Sequence, residues 1–93
     1  MLRVVSYDIA EPRRLKRVAK VCQNYGVRVQ YSVFECWLEE DPFLRFWADL
    51  KKLINTKEDR LVAYTLDQGA SRKRLSLGAT MVLSDKPTWR IVG

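Results

Sequence analysis

The chain reads as a single α+β domain in which strands and helices alternate. Apolar, β-branched runs occupy residues 2–9, 27–38 and 60–66, and helix-period segments lie between them at 10–25 and 42–54. Ninety-three residues are enough for one modest core, of a size often helped by self-association. The order strand, helix, strand region, helix, strand fits a ferredoxin-like βαββαβ sandwich, provided that residues 27 to 38 supply two strands.

The first run, Leu2-Arg3-Val4-Val5-Ser6-Tyr7-Asp8-Ile9, predicts a strand with residues 2, 4, 6 and 8 on one face. Asp8 is the only carboxylate among the first ten residues and stands where the strand ends. An acid leaving a sheet is a hard oxygen ligand suited to a divalent cation such as Mg²⁺. A solvated turn acid or a helix cap fits the same position.

The first helix is expected over residues 10 to 25, with Pro12 at its first position and Gly26 as its stop. Leu15, Val18, Ala19, Cys22 and Tyr25 form its apolar stripe. Arg13, Arg14, Lys16, Arg17 and Lys20 hold the opposite face, with Glu11 the only acid of the segment. Such a face either neutralises phosphates or is plain solvated surface.

Residues 27 to 38 contain no Gly, Pro, Asn or Asp to mark a hairpin, so pattern alone predicts one long strand. Glu39-Glu40-Asp41 reads as a turn, after which a second helix starts with Asp41 as cap and Pro42 at the first position. Phe43, Phe46, Trp47, Leu50, Leu53 and Ile54 make its core-facing stripe. A polar loop, 55–59, leads to the strand at 60–66. Beyond it, residues 67–74 are polar and basic, short apolar stretches follow at 75–77 and 81–83, and Trp89-Arg90-Ile91-Val92 reads as a last short strand.

Seventeen Lys and Arg against eleven Asp and Glu give a net charge of +6, which favours an anionic partner such as nucleic acid. No apolar run approaches a bilayer span and no signal-peptide pattern opens the chain, so a cytoplasmic protein without membrane association is expected. The absence of histidine excludes Ser-His-Asp triads, histidine bases and histidine zinc sites. Cys22 and Cys36 have neither metal-ligand nor redox spacing and are expected to be reduced packing residues. There is no Gly-rich phosphate loop, and the glycine-aromatic strand motif of an RNA-recognition module is missing.

The blocks Val5-Ser6-Tyr7-Asp8-Ile9, Arg17-Val18-Ala19-Lys20, Tyr25-Gly26-Val27-Arg28-Val29-Gln30, Ser32-Val33-Phe34-Glu35-Cys36 and Asp59-Arg60-Leu61-Val62-Ala63-Tyr64 together resemble the CRISPR-associated Cas2 family of small adaptation proteins. Beyond residue 66 the resemblance is loose, carried by Leu77-Gly78 and a final apolar strand. The resemblance implies a tight reversal near Ser32 and Val33 and an extra C-terminal strand on one domain spanning residues 1–93, with about residues 80–93 as a partner-contacting tail. It further implies a homodimer in which two copies of Asp8 hold one Mg²⁺ as the catalytic centre of a metal-dependent endonuclease. Arg13, Arg14, Arg17, Lys20 and Arg28 would meet nucleic acid, and Tyr7 and Ser32 would line the cleft. The implied partners are the CRISPR integrase subunit and double-stranded DNA or single-stranded RNA. A scaffold of the spacer-acquisition complex and a nuclease are compatible roles; a toxin-type ribonuclease of the virulence-associated toxin D family is the alternative.

Overall fold

The computed structural model describes residues 1–73 and Leu75. Its elements run β1 (Leu2–Asp8), α1 (Pro12–Tyr25), β2 (Val27–Gln30), β3 (Val33–Trp37), α2 (Glu40–Leu53), β4 (Arg60–Leu66) and α3 (Gln68–Arg72). One antiparallel sheet has the order β2-β3-β1-β4, the ferredoxin-like arrangement. The expected strand at 89–92, the apolar stretches at 76–77 and 81–83 and the 80–93 tail lie outside the described residues. No helix among the described residues is long and apolar enough to cross a membrane.

Alternation along the strands divides the sheet into two faces. Val5 and Tyr7 of β1, Phe34 and Cys36 of β3 and, less deeply, Leu61 and Ala63 of β4 turn toward the helices. There they meet Val18 and Cys22 of α1 and Phe46 and Leu50 of α2. Tyr25 stacks on Phe46 with ring centroids 4.6 Å apart, and its hydroxyl donates to the Asp49 carboxylate at 3.3 Å. Arg3 is buried on the same side without a carboxylate among the described residues. Its Nε donates to the Leu38 carbonyl at 3.2 Å, its Nη1 to Thr65 Oγ1 at 3.1 Å, and its guanidinium lies 4.4 Å from the Phe43 ring centroid.

Helix α1 starts where Pro12 predicts. Glu11 caps it, accepting from the Arg13 and Arg14 backbone N–H groups at 3.0 and 2.8 Å, which holds its carboxyl below the usual range. The buried stripe is turned slightly from the expected one. Val18 and Cys22 are fully covered and Val21 joins them at the edge, so Leu15 is left exposed. Gly26 ends the helix for a packing reason: a Cβ there would run into the Cys36 Sγ and the Glu35 carbonyl. Both thiols are free and buried, and burial pushes each up to about 12.

Residues 27 to 38 form two strands, not the one their composition suggests. Gln30 pairs with Val33, so the reversal is the two-residue loop Tyr31-Ser32, and the register shifts between Arg28 and Gln30 as in a bulge. Helix α2 begins earlier than expected. The Phe43 N–H donates to the Glu39 carbonyl at 3.1 Å, which makes Glu39 the cap and places Glu40, Asp41 and Pro42 inside the first turn. Pro42 is tolerated there because first-turn N–H groups have no intrahelical acceptor. Glu40 and Asp41 face the positive end of the helix, and Lys51 and Lys52 the negative end. The polar stretch after β4 holds an unexpected short helix, α3, capped by Asp67, whose carboxylate accepts from the Ala70 N–H at 2.7 Å.

Candidate functional site

The end of β1, the β2–β3 turn, the start of β4 and the N-terminus of α1 all lie at one end of the sheet, as the antiparallel registers require. Asp8 closes β1 there, on the face turned away from the helices. It is exposed and makes no hydrogen bond or ion pair among the described residues. The β1–β4 register sets Ser6 beside Val62, Asp8 beside Arg60 and Val4 beside Tyr64. Ser6, Tyr7, Asp8, Arg60, Val62 and Tyr64 line a cavity of about 240 Å³ on this face.

The cavity offers hard oxygen donors, the Asp8 carboxylate and, two residues back on the same face, the Ser6 hydroxyl. No cluster of three or more His, Cys, Asp or Glu side chains able to hold a metal occurs among the described residues. Mg²⁺ requires no such cage, because it keeps several waters and is held by one or two carboxylates together with substrate phosphates. The donor set fits that ion.

Beside the cavity, the Asp59 carboxylate organises the loops. Its side chain is 0 % exposed, and it accepts from the Ala10 N–H at 2.9 Å, the Asn55 N–H at 2.8 Å, and Arg14 Nε and Nη2 at 2.6 and 3.1 Å. Glu58 adds a second acceptor for Arg14 Nη2 at 3.1 Å. One buried acid thus joins the β1–α1 turn, helix α1 and the loop before β4. The Arg14 guanidinium foremost, and the two backbone donors, hold the Asp59 carboxyl well below the usual carboxylate range.

The residues singled out from sequence separate into several places. Arg13, Arg17 and Lys20, with Lys16, are exposed along one face of α1 at helical spacing and have no ion-pair partner among the described residues. Arg14 departs from them, its guanidinium engaged by Asp59 and Glu58. Arg28 lies 5.3 Å from the Phe34 ring centroid, with a buried Nε that makes no hydrogen bond among the described residues. Tyr7 borders the cavity, but its ring belongs to the core. Its hydroxyl donates to the Tyr31 carbonyl at 3.4 Å, and burial raises the phenol above its ordinary value against the pull of Arg28. Ser32 stands in the β2–β3 turn, accepts the Tyr7 N–H through its carbonyl at 3.1 Å, and does not line the cavity. Sequence reasoning missed Arg60, Val62 and Tyr64. The parity of β4 was available to find them, once β4 was known to pair with β1.

Residues 1–74 match the family described as CRISPR associated protein Cas2. A Chloroflexus aurantiacus protein named CRISPR-associated endoribonuclease Cas2 3 is 40% identical over 92 residues, which are 99% of this chain and 98% of that protein. A Halalkalibacterium halodurans protein named CRISPR-associated endonuclease Cas2 is 38% identical, covering 85% of this chain and 88% of the relative. The crystal structure of Streptococcus pyogenes Cas2 at pH 6.5 superposes with a TM-score of 0.74 at 36% identity, covering 84% of this chain and 100% of that one.

The Asp59 cluster sets a pH dependence. In the unfolded chain an aspartate titrates near pH 4. In the fold Asp59 titrates well below that, so its contribution is complete above about pH 4 and is lost as the pH falls further. Asp59→Asn is expected to lower the melting temperature at pH 7 by several degrees and to flatten the fall in stability on the acid side of pH 4, as read by circular dichroism melts. Equal acid sensitivity in both proteins would remove Asp59 from the account.

Proposed function

The chain belongs to the CRISPR associated protein Cas2 family, and on that footing we propose that it is a nucleic-acid-binding nuclease of CRISPR defence whose chemistry centres on Asp8. The observation that carries this reading is the exposed, unpartnered Asp8 carboxylate in a cavity at the end of β1. Relatives named endoribonuclease and endonuclease support phosphodiester cleavage as the reaction.

In the proposed mechanism Asp8 would hold and position a Mg²⁺ ion, and the Ser6 hydroxyl would donate to a phosphate oxygen. When bound, the ion supplies Lewis acidity and the positive charge that a cleaving phosphodiester needs. A water oxygen adds to phosphorus as the bond to the leaving ribose oxygen breaks. The water's proton passes to solvent, and the leaving oxygen takes one up.

One carboxylate per chain is a small ligand set, so the proposed active form is a homodimer. A two-fold axis through the open sheet face would bring both Asp8 side chains to one ion and cover Val4, Val62 and Tyr64. The cationic stripe Arg13, Lys16, Arg17 and Lys20 would run along phosphates of single-stranded RNA or double-stranded DNA without reading bases. The same surface supports a scaffold role in spacer acquisition beside the CRISPR integrase subunit, in the cytoplasm.

Asp8→Asn keeps the side chain's shape and removes the charge that holds the ion. Mg²⁺-dependent cleavage of labelled RNA and DNA should fall at least about a hundredfold. Folding and nucleic-acid affinity should be unchanged, and undiminished cleavage by the purified variant would end the assignment of Asp8.

Binding should weaken steeply with salt and differ little between sequences. Replacing Arg13, Lys16, Arg17 and Lys20 by Ala should reduce the slope of log affinity against log salt by about 0.9 for each duplex DNA phosphate that is no longer neutralised. A slope that stays the same in anisotropy titrations would place the phosphate-binding surface elsewhere.

A further inference from the structure

Asp8 has a neighbour to which the sequence assigned no role. The register pairs it with Arg60, the first residue of β4, and alternation puts both side chains on the open face of the sheet. Opposite charges directly across an antiparallel pair have Cβ atoms about 5 Å apart and ordinarily stabilise the sheet as a pair. These two do not close on one another, and Arg60 has no carboxylate partner among the described residues. They stand instead at the wall of the same cavity, where Arg60 is the only cation among the described lining residues.

The contrast with Arg14 is informative. Arg14 lies at the same end of the sheet, but Asp59 and Glu58 already satisfy its charge. Arg60 directly follows Asp59, whose four hydrogen bonds fix the backbone from which it projects. An unpaired guanidinium on an anchored strand end, beside a free carboxylate on the wall of one cavity, suits a ligand with two demands: an anion for the arginine and a bound cation for the acid. A phosphodiester with its divalent ion meets both.

We infer that Arg60 is a second catalytic residue of this cavity, its guanidinium binding a non-bridging oxygen of the phosphodiester that is cleaved at Asp8. The inference rests on the nuclease reading above. A planar guanidinium matches two phosphate oxygens at once, and its charge gains in value as negative charge gathers there while water adds and the ribose oxygen leaves. Arg60 exchanges no proton and forms no covalent bond.

The test compares Arg60→Gln, Arg60→Lys and Asp8→Asn with the wild type. Single-turnover cleavage of a short RNA is read in Mg²⁺, binding of an uncleaved RNA dinucleotide is read without metal, and Mn²⁺ binding is read by calorimetry. Arg60→Gln should slow cleavage roughly a hundredfold and weaken the dinucleotide roughly tenfold while Mn²⁺ still binds. Arg60→Lys should recover part of the loss, because it keeps the charge without the fork. Asp8→Asn should lose Mn²⁺ binding and cleavage and keep the dinucleotide. If Asp8→Asn behaves so and Arg60→Gln changes neither cleavage nor dinucleotide affinity, the inference about Arg60 is overturned and the nuclease reading stands. If Asp8→Asn leaves Mn²⁺ binding and cleavage intact, the placing of the nuclease chemistry at Asp8 fails, and with it the catalytic role of Arg60. Melting curves verify that each variant is folded, and the polar, uncharged glutamine on an exposed strand end is chosen to keep it so.

Discussion

The buried Asp59 carboxylate is the constraint on which the working end of the molecule depends. Two stretches far apart in sequence meet at its two oxygens: the Ala10 amide just after β1 and the Arg14 side chain on α1 from one, and the Asn55 amide just after α2 from the other. A carboxylate removed from water is costly unless its charge is matched and its lone pairs are filled. Arg14 supplies the charge, and the two backbone amides fill much of what remains. The same bonds satisfy donors in connecting segments that no ladder or helix would reach.

Two consequences follow for chemistry at this end of the sheet. Arg14 is spent on structure, so the cationic surface of α1 reduces to Arg13, Lys16, Arg17 and Lys20, whose spacing keeps them on one exposed face. Asp59 is committed as well, which leaves Asp8 as the free carboxylate of the cavity. Side-chain parity then divides the labour along β1. Val5 and Tyr7 knit the sheet to the helices, while Ser6 and Asp8 face outward beside Val62 and Arg60. A one-residue slip in the β1–β4 pairing would send Arg60 to the core side, so the site is only as secure as that register.

Much of the fold was legible because local signals were strong. Pro12 and Gly26 bracket α1, the apolar stripe of α2 is unambiguous, and β4 spans Arg60–Leu66 as its composition implies. Misplacements occurred where two local rules compete. Asp41-Pro42 imitates a cap and first position, yet the helix closes on the Glu39 carbonyl and holds the proline in its first turn. Tyr31-Ser32 contains no Gly, Pro, Asn or Asp, so the hairpin came only from family resemblance; the tertiary setting, with Ser32 and Tyr31 carbonyls bonded to Tyr7, stabilises it. The Asp59 cluster was invisible for another reason. Its Arg14 and Ala10 partners are 45 and 49 residues away, and no periodicity reports a contact of that range. Asp8 could be singled out by its position at a strand end, whereas Arg60 needed the strand pairing itself.

Amide hydrogen exchange tests the central role of Asp59 most directly. The Ala10 and Asn55 N–H groups lie in exposed connecting segments, and each donates to one oxygen of this carboxylate. Both should be protected at neutral pH and should lose protection together in Asp59→Asn, while amides in the middle of β1 keep theirs. Ala10 and Asn55 amides that exchange freely in the wild type, or remain protected in the variant, would contradict the account.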